Sequence, residues 1–326
     1  MDMIDRYGRR IRYLRLSVTD RCNLRCRYCM PAEGVRKRHQ REILSYEELY
    51  RVAAEAVDLG IDKIRLTGGE PLVRKGIVEF SEKLARLPGL KELVLTTNGL
   101  LLAEMAAPLR RAGIKRLNIS LDSLKPGTFA SITRGGELQR VLDGIEAAMA
   151  AGFPPPKINM VVMAGINDDE LLDFARLTLD RAFTVRFIEY MPNLQEPDWE
   201  KQSIPGSELL DRIVREYRLL PIVSSETAGP ARNYRIAGAA GALGFITPIS
   251  GHFCGSCNRI RVSSVGMAHG CLFAGASLDL KPALRSGDRG ELRRVLHDIV
   301  TDKPVGHTLQ QDEDDRRAFA MSGIGG

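Results

Sequence analysis

The six cysteines of this 326-residue chain stand in two groups of three. A thiolate is a soft ligand that suits zinc or iron. The first group, Cys22-Asn-Leu-Arg-Cys26-Arg-Tyr28-Cys29, has C-x3-C-x2-C spacing, so three thiolates on one short loop converge on one metal centre. A structural zinc closes its tetrahedron with four protein ligands, and the nearest further candidate is His39. Three ligands on a four-iron cluster instead leave one iron open to a non-protein ligand. The competing reading is a zinc loop that borrows a distant ligand. The second group is Cys254-Gly-Ser-Cys257 with Cys271, a C-x2-C-x13-C pattern. His252 or His269 would complete a Cys3His zinc site; without either, this is a second three-thiolate iron–sulfur site whose open iron is able to bind substrate.

Other groups capable of chemistry cluster at expected strand ends. Thr67-Gly-Gly69-Glu70-Pro71 offers glycines that let backbone approach a ligand and a carboxylate able to accept from an amine, and Thr96-Thr97-Asn98-Gly99 reads the same way; a plain turn explains either equally well. Arg15, Lys63, Arg65 and Lys157 lie on or beside strands, and Arg259 and Arg261 share one face of a strand that follows Cys257. Arginine forks suit phosphates, so the six together predict a polyphosphate held between the strands and the second cysteine group.

The elements that must position these residues alternate. Strand-like runs at 11–18, 63–67, 92–97, 115–121, 157–163 and 183–190 are separated by helical patterns at 76–87, 103–113, 138–151 and 168–180. An earlier helix begins at a Ser45/Glu48 capping box and stops at Gly60. Six β/α units predict an α/β fold, an incomplete (β/α)6 TIM-like barrel; a doubly wound open sheet is the alternative. Within the strands Leu14, Leu16, Ile64, Leu66, Leu93, Leu95, Leu117 and Ile119 share the oily face. Arg15, Ser17, Arg65, Thr67, Thr96, Asn118, Ser120 and Asp122 share the other. A parallel sheet is normally apolar on both faces, so the polar one predicts a ligand cavity.

Residues 192–206, with three prolines, read as a linker, and after a helix near 207–217 the texture changes to short β pieces. The expected division is 1–218 for the barrel and 219–326 for a smaller α+β unit that binds the second metal centre. The net charge of +6 favours an anionic partner without naming one. A charged N-terminus and the lack of a long apolar run predict a cytoplasmic protein that does not engage a membrane, where cysteines serve as ligands rather than disulfides.

Cys22-x3-Cys26-x2-Cys29 with Tyr28 before the last cysteine is the signature of the radical S-adenosylmethionine (SAM) enzymes. Within them the chain resembles, nearly end to end, the GTP 3′,8-cyclase family of molybdenum cofactor biosynthesis. The specific stretches are residues 14–23, 64–71, 118–124, 157–163, 186–191 and 253–261 and the Gly325-Gly326 tail. The resemblance implies a 4Fe-4S cluster on Cys22, Cys26 and Cys29 that binds SAM, and a second on Cys254, Cys257 and Cys271 that meets the guanine. It implies SAM contacts from Tyr28, Gly69, Ser120 and Met191, and GTP contacts from Arg15, Arg65, Thr96, Lys157, Arg259 and Arg261. Arg15, Gly325 and Gly326 would act in catalysis. The implied reaction is a lyase step: a 5′-deoxyadenosyl radical takes the C3′ hydrogen of GTP, and the product is 3′,8-cyclo-7,8-dihydro-GTP. The implied partners are an electron donor and the next enzyme of the pathway, cyclic pyranopterin monophosphate synthase, with a homodimer left open and no nucleic acid. Two other readings stand beside this one: another radical SAM enzyme with an auxiliary cluster, and a zinc-stabilised nucleic-acid-binding protein.

Overall fold

The computed structural model describes residues 3–35, 38–191, 199–223, 229–273 and 277–307. Six strands, β1 (Tyr13–Ser17), β2 (Lys63–Thr67), β3 (Glu92–Thr97), β4 (Arg116–Ser120), β5 (Lys157–Val162) and β6 (Thr184–Glu189), pair in sequence order and in parallel. A doubly wound sheet would reverse that order at a switch point. The order found is that of a partial barrel, as expected. The intervening helices are α1 (Tyr46–Asp58), α2 (Ile77–Ala85), α3 (Leu102–Arg111), α4 (Pro126–Thr133), α5 (Leu138–Ala150) and α6 (Leu171–Asp180). α1 starts where its sequence predicts: Ser45 Oγ accepts from Glu48 N at 3.1 Å, and Glu48 Oε2 accepts from Ser45 N at 2.7 Å. α4 has no counterpart in the sequence reading. Its Pro126-Gly127 start resembles a turn, although proline at the first helical position leaves no useful donor unpaired.

The alternation along the strands has the predicted result. Leu14, Leu16, Ile64, Leu66, Leu93, Leu95, Leu117 and Ile119 are buried beneath the helices. The opposite faces turn into a lumen.

After α7 (Gly206–Val214) the chain runs through β7 (Leu219–Ile222), β8 (Arg232–Ile236), β9 (Ala242–Ile246), β10 (Arg259–Val262), β11 (Met267–His269) and β12 (Ser277–Asp279), then α8 (Lys281–Ser286) and α9 (Arg289–Thr301). These strands extend the barrel sheet at both edges. β9 lies parallel beside β6, and β10 lies parallel beside β1, with Tyr13 opposite Arg259 and Arg15 opposite Arg261. The described strands thus form one sheet of twelve, with β7 at one edge and β12 at the other. α9 docks on α1 through Arg289 and Arg293, which both pair with Glu55 and Asp58.

Glu189 joins the β6 edge to this later segment. Its buried carboxylate accepts from Gly206 N at 2.6 Å, Ile249 N at 3.0 Å, Ser250 N at 3.1 Å and the Ser250 hydroxyl. Glu189→Ala leaves Ile249 N and Ser250 N without a partner and Gly206 N with only Ser250 Oγ at 3.3 Å, so it is expected to destabilise the fold by about 2–5 kcal/mol. A urea unfolding midpoint that barely moves would contradict this.

Candidate active site

The first cysteine loop leaves the C-terminal end of β1 and is held by backbone on both sides. From the β2 end, Gly69 N donates to Thr19 O and Glu70 N to Arg21 O, each at 2.8 Å. The approach is so close that a Cβ on Gly69 would lie 2.3 Å from Arg21 O, and one on Gly68, at φ +152°, would lie 2.4 Å from Thr19 O. The glycines therefore let two segments of chain touch, directly ahead of Cys22. From the α4 side, Arg25 N and Arg27 N donate to Thr133 O and Ile132 O, and the Arg134 guanidinium caps Arg25 O at 3.0 Å and Met30 O at 2.8 Å.

Glu70, read as an acceptor for an amine, is mainly a brace. It accepts from Leu72 N at 3.0 Å, Thr97 Oγ1 at 2.9 Å and Asn98 N at 2.7 Å, and so ties the β2 turn to the end of β3. Asn98 in turn reaches Asn23 Oδ1 at 2.8 Å and Cys22 Sγ at 3.8 Å. Tyr28 donates to Asp122 Oδ2 at 2.8 Å, and Val161 N donates to Asp122 Oδ1 at 2.9 Å. Burial pushes Asp122 up to about 6 and Glu70 up to about 7. Burial, with Glu70 adding to it, pushes the Cys22 thiol up to about 11; burial and Asp122 raise Cys26 well above the ordinary thiol range.

In the second trio burial raises Cys254, and Cys257 alone has the opposite setting. Burial raises Cys257, but Arg259 and Lys303 overcome it and bring the thiol down to about 6. Arg259 Nη2 lies 3.6 Å from Cys257 Sγ, with its guanidinium over the Phe253 ring. The Cys254 loop is pinned by Arg9. This buried guanidinium donates to Asp5 Oδ2 at 2.5 Å, Cys254 O at 2.7 Å, Val305 O at 3.2 Å and Pro304 O at 2.6 Å.

The donor sets distinguish zinc from a larger cluster. Thiolates on one tetrahedral zinc stand about 3.8 Å apart, from a Zn–S bond of about 2.3 Å. Among the described residues the ligand group drawn within 4.8 Å of one another is His252, Cys254 and His307; neither cysteine trio gathers that tightly. His252 thus stands by Cys254, as the zinc reading required, but without Cys257 and Cys271 at zinc spacing. His269 sits on β11 opposite Arg261. Three wider-set thiolates fit a multi-iron cluster at both places.

One cavity of about 540 Å³ joins the two trios and is lined by all six cysteines. Tyr28, Gly69, Ser120 and Met191 line it toward the first loop. Arg15, Arg65, Thr96, Lys157, Arg259 and Arg261 line it too, so every described site residue named from the sequence converges there. Gly325 and Gly326 lie outside the described residues. Tyr13, Arg116, Asn159 and Arg186 also line the cavity, and sequence reading assigned them nothing. The alternation of Arg186 and Ile188 against Val185 and Phe187 was the available signal for Arg186.

The lumen is prepared for an anion. Lys63 and Arg116 share Glu92, whereas among the described residues no carboxylate pairs with Arg65, Lys157 or Arg186. Burial and then its cationic neighbours, Arg186 first, lower Lys157 to about 7; burial and Arg65 lower Arg186 to about 10. The Tyr13 hydroxyl, Arg65 Nε, Arg186 Nε, Thr96 Oγ1, Asn118 Oδ1 and Asn159 Oδ1 are buried without a hydrogen-bond partner among the described residues. Buried polar atoms are ordinarily paired, so this set marks a ligand's place.

Known proteins agree in kind. Residues 16–178 match the model of the Radical SAM superfamily, and residues 183–309 match that of Molybdenum Cofactor Synthesis C. The chain is 62% identical to a GTP 3′,8-cyclase of Geobacter sulfurreducens over 100% of both chains. To the GTP 3′,8-cyclase of Alkaliphilus oremlandii it is 45% identical over 99% of this chain and 100% of that one. Its fold is similar to that of Streptococcus suis SuiB bound to S-adenosylmethionine, with a TM-score of 0.59 and 16% identity, covering 92% of this chain and 68% of that chain.

Gly69→Ala forces the β2 turn off the first loop. Iron bound after anaerobic reconstitution is expected to fall by roughly half, the share of one cluster in two. A full iron count would refute the bracing role.

Proposed function

The chain belongs to the GTP 3′,8-cyclase family of the radical SAM superfamily, and from that membership we propose how its residues carry out the first step of molybdenum cofactor biosynthesis. The enzyme converts GTP to 3′,8-cyclo-7,8-dihydro-GTP with two 4Fe-4S clusters and SAM. Cys22, Cys26 and Cys29 would hold one cluster and Cys254, Cys257 and Cys271 the other. Once bound, the clusters and SAM supply the one-electron chemistry that removes the C3′ hydrogen and links C3′ to C8.

The chain's own work is position and charge. Arg15, Arg65, Lys157, Arg259 and Arg261 bind the triphosphate, Thr96 adds a hydroxyl, and Arg186 extends the cationic wall. Tyr28 and Asp122, with Ser120, Gly69 and Met191, shape the end where SAM lies. Residues 1–218 form the radical-generating unit and residues 219–326 the unit that receives the guanine. Within the second, Gly325 and Gly326 act beside Arg15 in catalysis. The proposal extends to a cytoplasmic setting, a one-electron donor, product transfer to cyclic pyranopterin monophosphate synthase, and a homodimer. Among the described residues no helix is long and apolar enough to cross a membrane.

The observation that carries this reading is a single lumen with a cysteine trio at either end and, between them, Arg65, Lys157 and Arg186, with which no carboxylate pairs among the described residues. Those cations have no purpose for an uncharged peptide. In the test, anaerobically reconstituted protein is incubated with SAM, a reductant and either GTP or a peptide pool. GTP is expected to be consumed in step with 5′-deoxyadenosine formation. Deoxyadenosine made after Cys22→Ala, or made without regard to GTP, would defeat the reading.

Lys157 gives a pH-dependent consequence. With its pKa near 7 in the empty lumen it is mostly neutral at pH 8, and a bound polyphosphate raises that pKa. GTP binding at pH 8 is therefore expected to take up protons, and affinity to fall as pH rises above 7. Calorimetry in buffers of different ionisation heat reads the uptake, which should vanish in Lys157→Met.

A further inference from the structure

Lys303 lies two residues beyond the end of α9, where a lysine ordinarily reaches into solvent beside the last carbonyls. Here it turns inward and is only 3% exposed. Its Nζ donates to Arg259 O at 3.0 Å and to Gly270 O, and the Cys257 and Cys271 sulfurs are the anionic groups that act on it. These acceptors bracket the second trio, since Gly270 precedes Cys271 and Arg259 follows Cys257 by two residues.

The two carbonyl acceptors take two of the three N–H groups of an ammonium and leave the third for the sulfur side of the site. Among the described residues no carboxylate pairs with Lys303, and a buried charge without a counter-ion is costly. The anionic groups acting on it are the thiolates of Cys257 and Cys271. Arg259 also faces Cys257, but it lies on the lumen wall where substrate phosphate competes for it. Lys303 is committed to the trio by its backbone anchors.

We propose that Lys303 is the resident counter-cation of the second iron–sulfur cluster, holding its reduction potential up through its charge, anchored between Arg259 O and Gly270 O beside Cys257 and Cys271. The inference rests on the reading of that trio as an iron–sulfur site. A fixed cation stabilises the more negative, reduced state, and hydrogen bonds to ligand sulfur act in the same direction. The first trio has buried carboxyls, Glu70 and Asp122, beside it instead. Lys303 is a positioning and tuning residue, not a catalytic one.

The test uses the reconstituted full-length enzyme in a redox titration followed by electron paramagnetic resonance. The signal that survives Cys22→Ala, Cys26→Ala and Cys29→Ala identifies the second cluster. Lys303→Met and Lys303→Gln are each expected to shift that cluster's reduction equilibrium at least tenfold toward the oxidised form, about 59 mV for one electron. The first cluster's midpoint should stay in place, and Lys303→Arg should recover most of the shift. Iron lost from the second trio in the Met and Gln variants but kept in Arg would equally support a required charge. An unmoved midpoint with iron intact would overturn the proposal, and so would equal iron loss in all three variants, which would make Lys303 a packing residue. Zinc in place of iron at the second trio of the unsubstituted chain would overturn the underlying cluster reading instead.

Discussion

The structure depends on holding like charges together away from water. Parallel register sets Arg15 between Arg65 on β2 and Arg261 on β10, and Lys157 and Arg186 face the same lumen from β5 and β6. Two unit charges about 7 Å apart repel by about 2 kcal/mol at an effective dielectric constant of about 20. A flexible surface would spread such groups apart. Strands locked by backbone hydrogen bonds and by an apolar outer face cannot do so, and the oily face of the sheet therefore maintains the tension of the polar one. Among the described residues no carboxylate pairs with Arg65, Lys157 or Arg186, so affinity for a polyanion is a property of the fold as a whole.

The same principle separates the two metal sites. Burial raises the Cys22 and Cys26 thiols, with Glu70 and Asp122 adding to it. Arg259 and Lys303 lower Cys257 against its burial, while burial raises Cys254. Carboxyls thus stand beside the first loop and cations beside Cys257.

Much of this was legible in the chain, because the signals were local. Period-two alternation in β1 to β4 gave the lumen, and cysteine spacing gave the open-site clusters. What escaped was long-range. Nothing near Arg259 indicates that β10 pairs with β1, some 245 residues away, so the sequence does not show that strands of the C-terminal unit extend the sheet at both edges. Lys303 could not be read from sequence, since a lysine just past a helix end is solvated in most proteins and only the packing of α9 against β11 and β12 turns this one inward. Gly69 was legible as a close approach, though the partner is Arg21 O as much as any ligand. The bracing role of Glu70 escaped for a related reason: composition shows a carboxylate but not that the β3 end supplies it with donors.

The added edge strands also explain how one chain puts two reactive centres at workable separation. Cys22 follows the C-terminal end of β1, whereas Cys257 precedes the N-terminal end of β10. Because β1 and β10 run in parallel, the two trios must lie at opposite ends of the same lumen. From the Tyr13–Arg259 level to the Ser17–Thr67 level is four residues, about 13 Å at the parallel-strand rise. That depth leaves room for a molecule of nucleoside size between the centres. An antiparallel β10 would have carried Cys257 to the same rim as Cys22 and removed the space between them. Parallel pairing across the length of the chain is thus the step that turns two metal loops into one site.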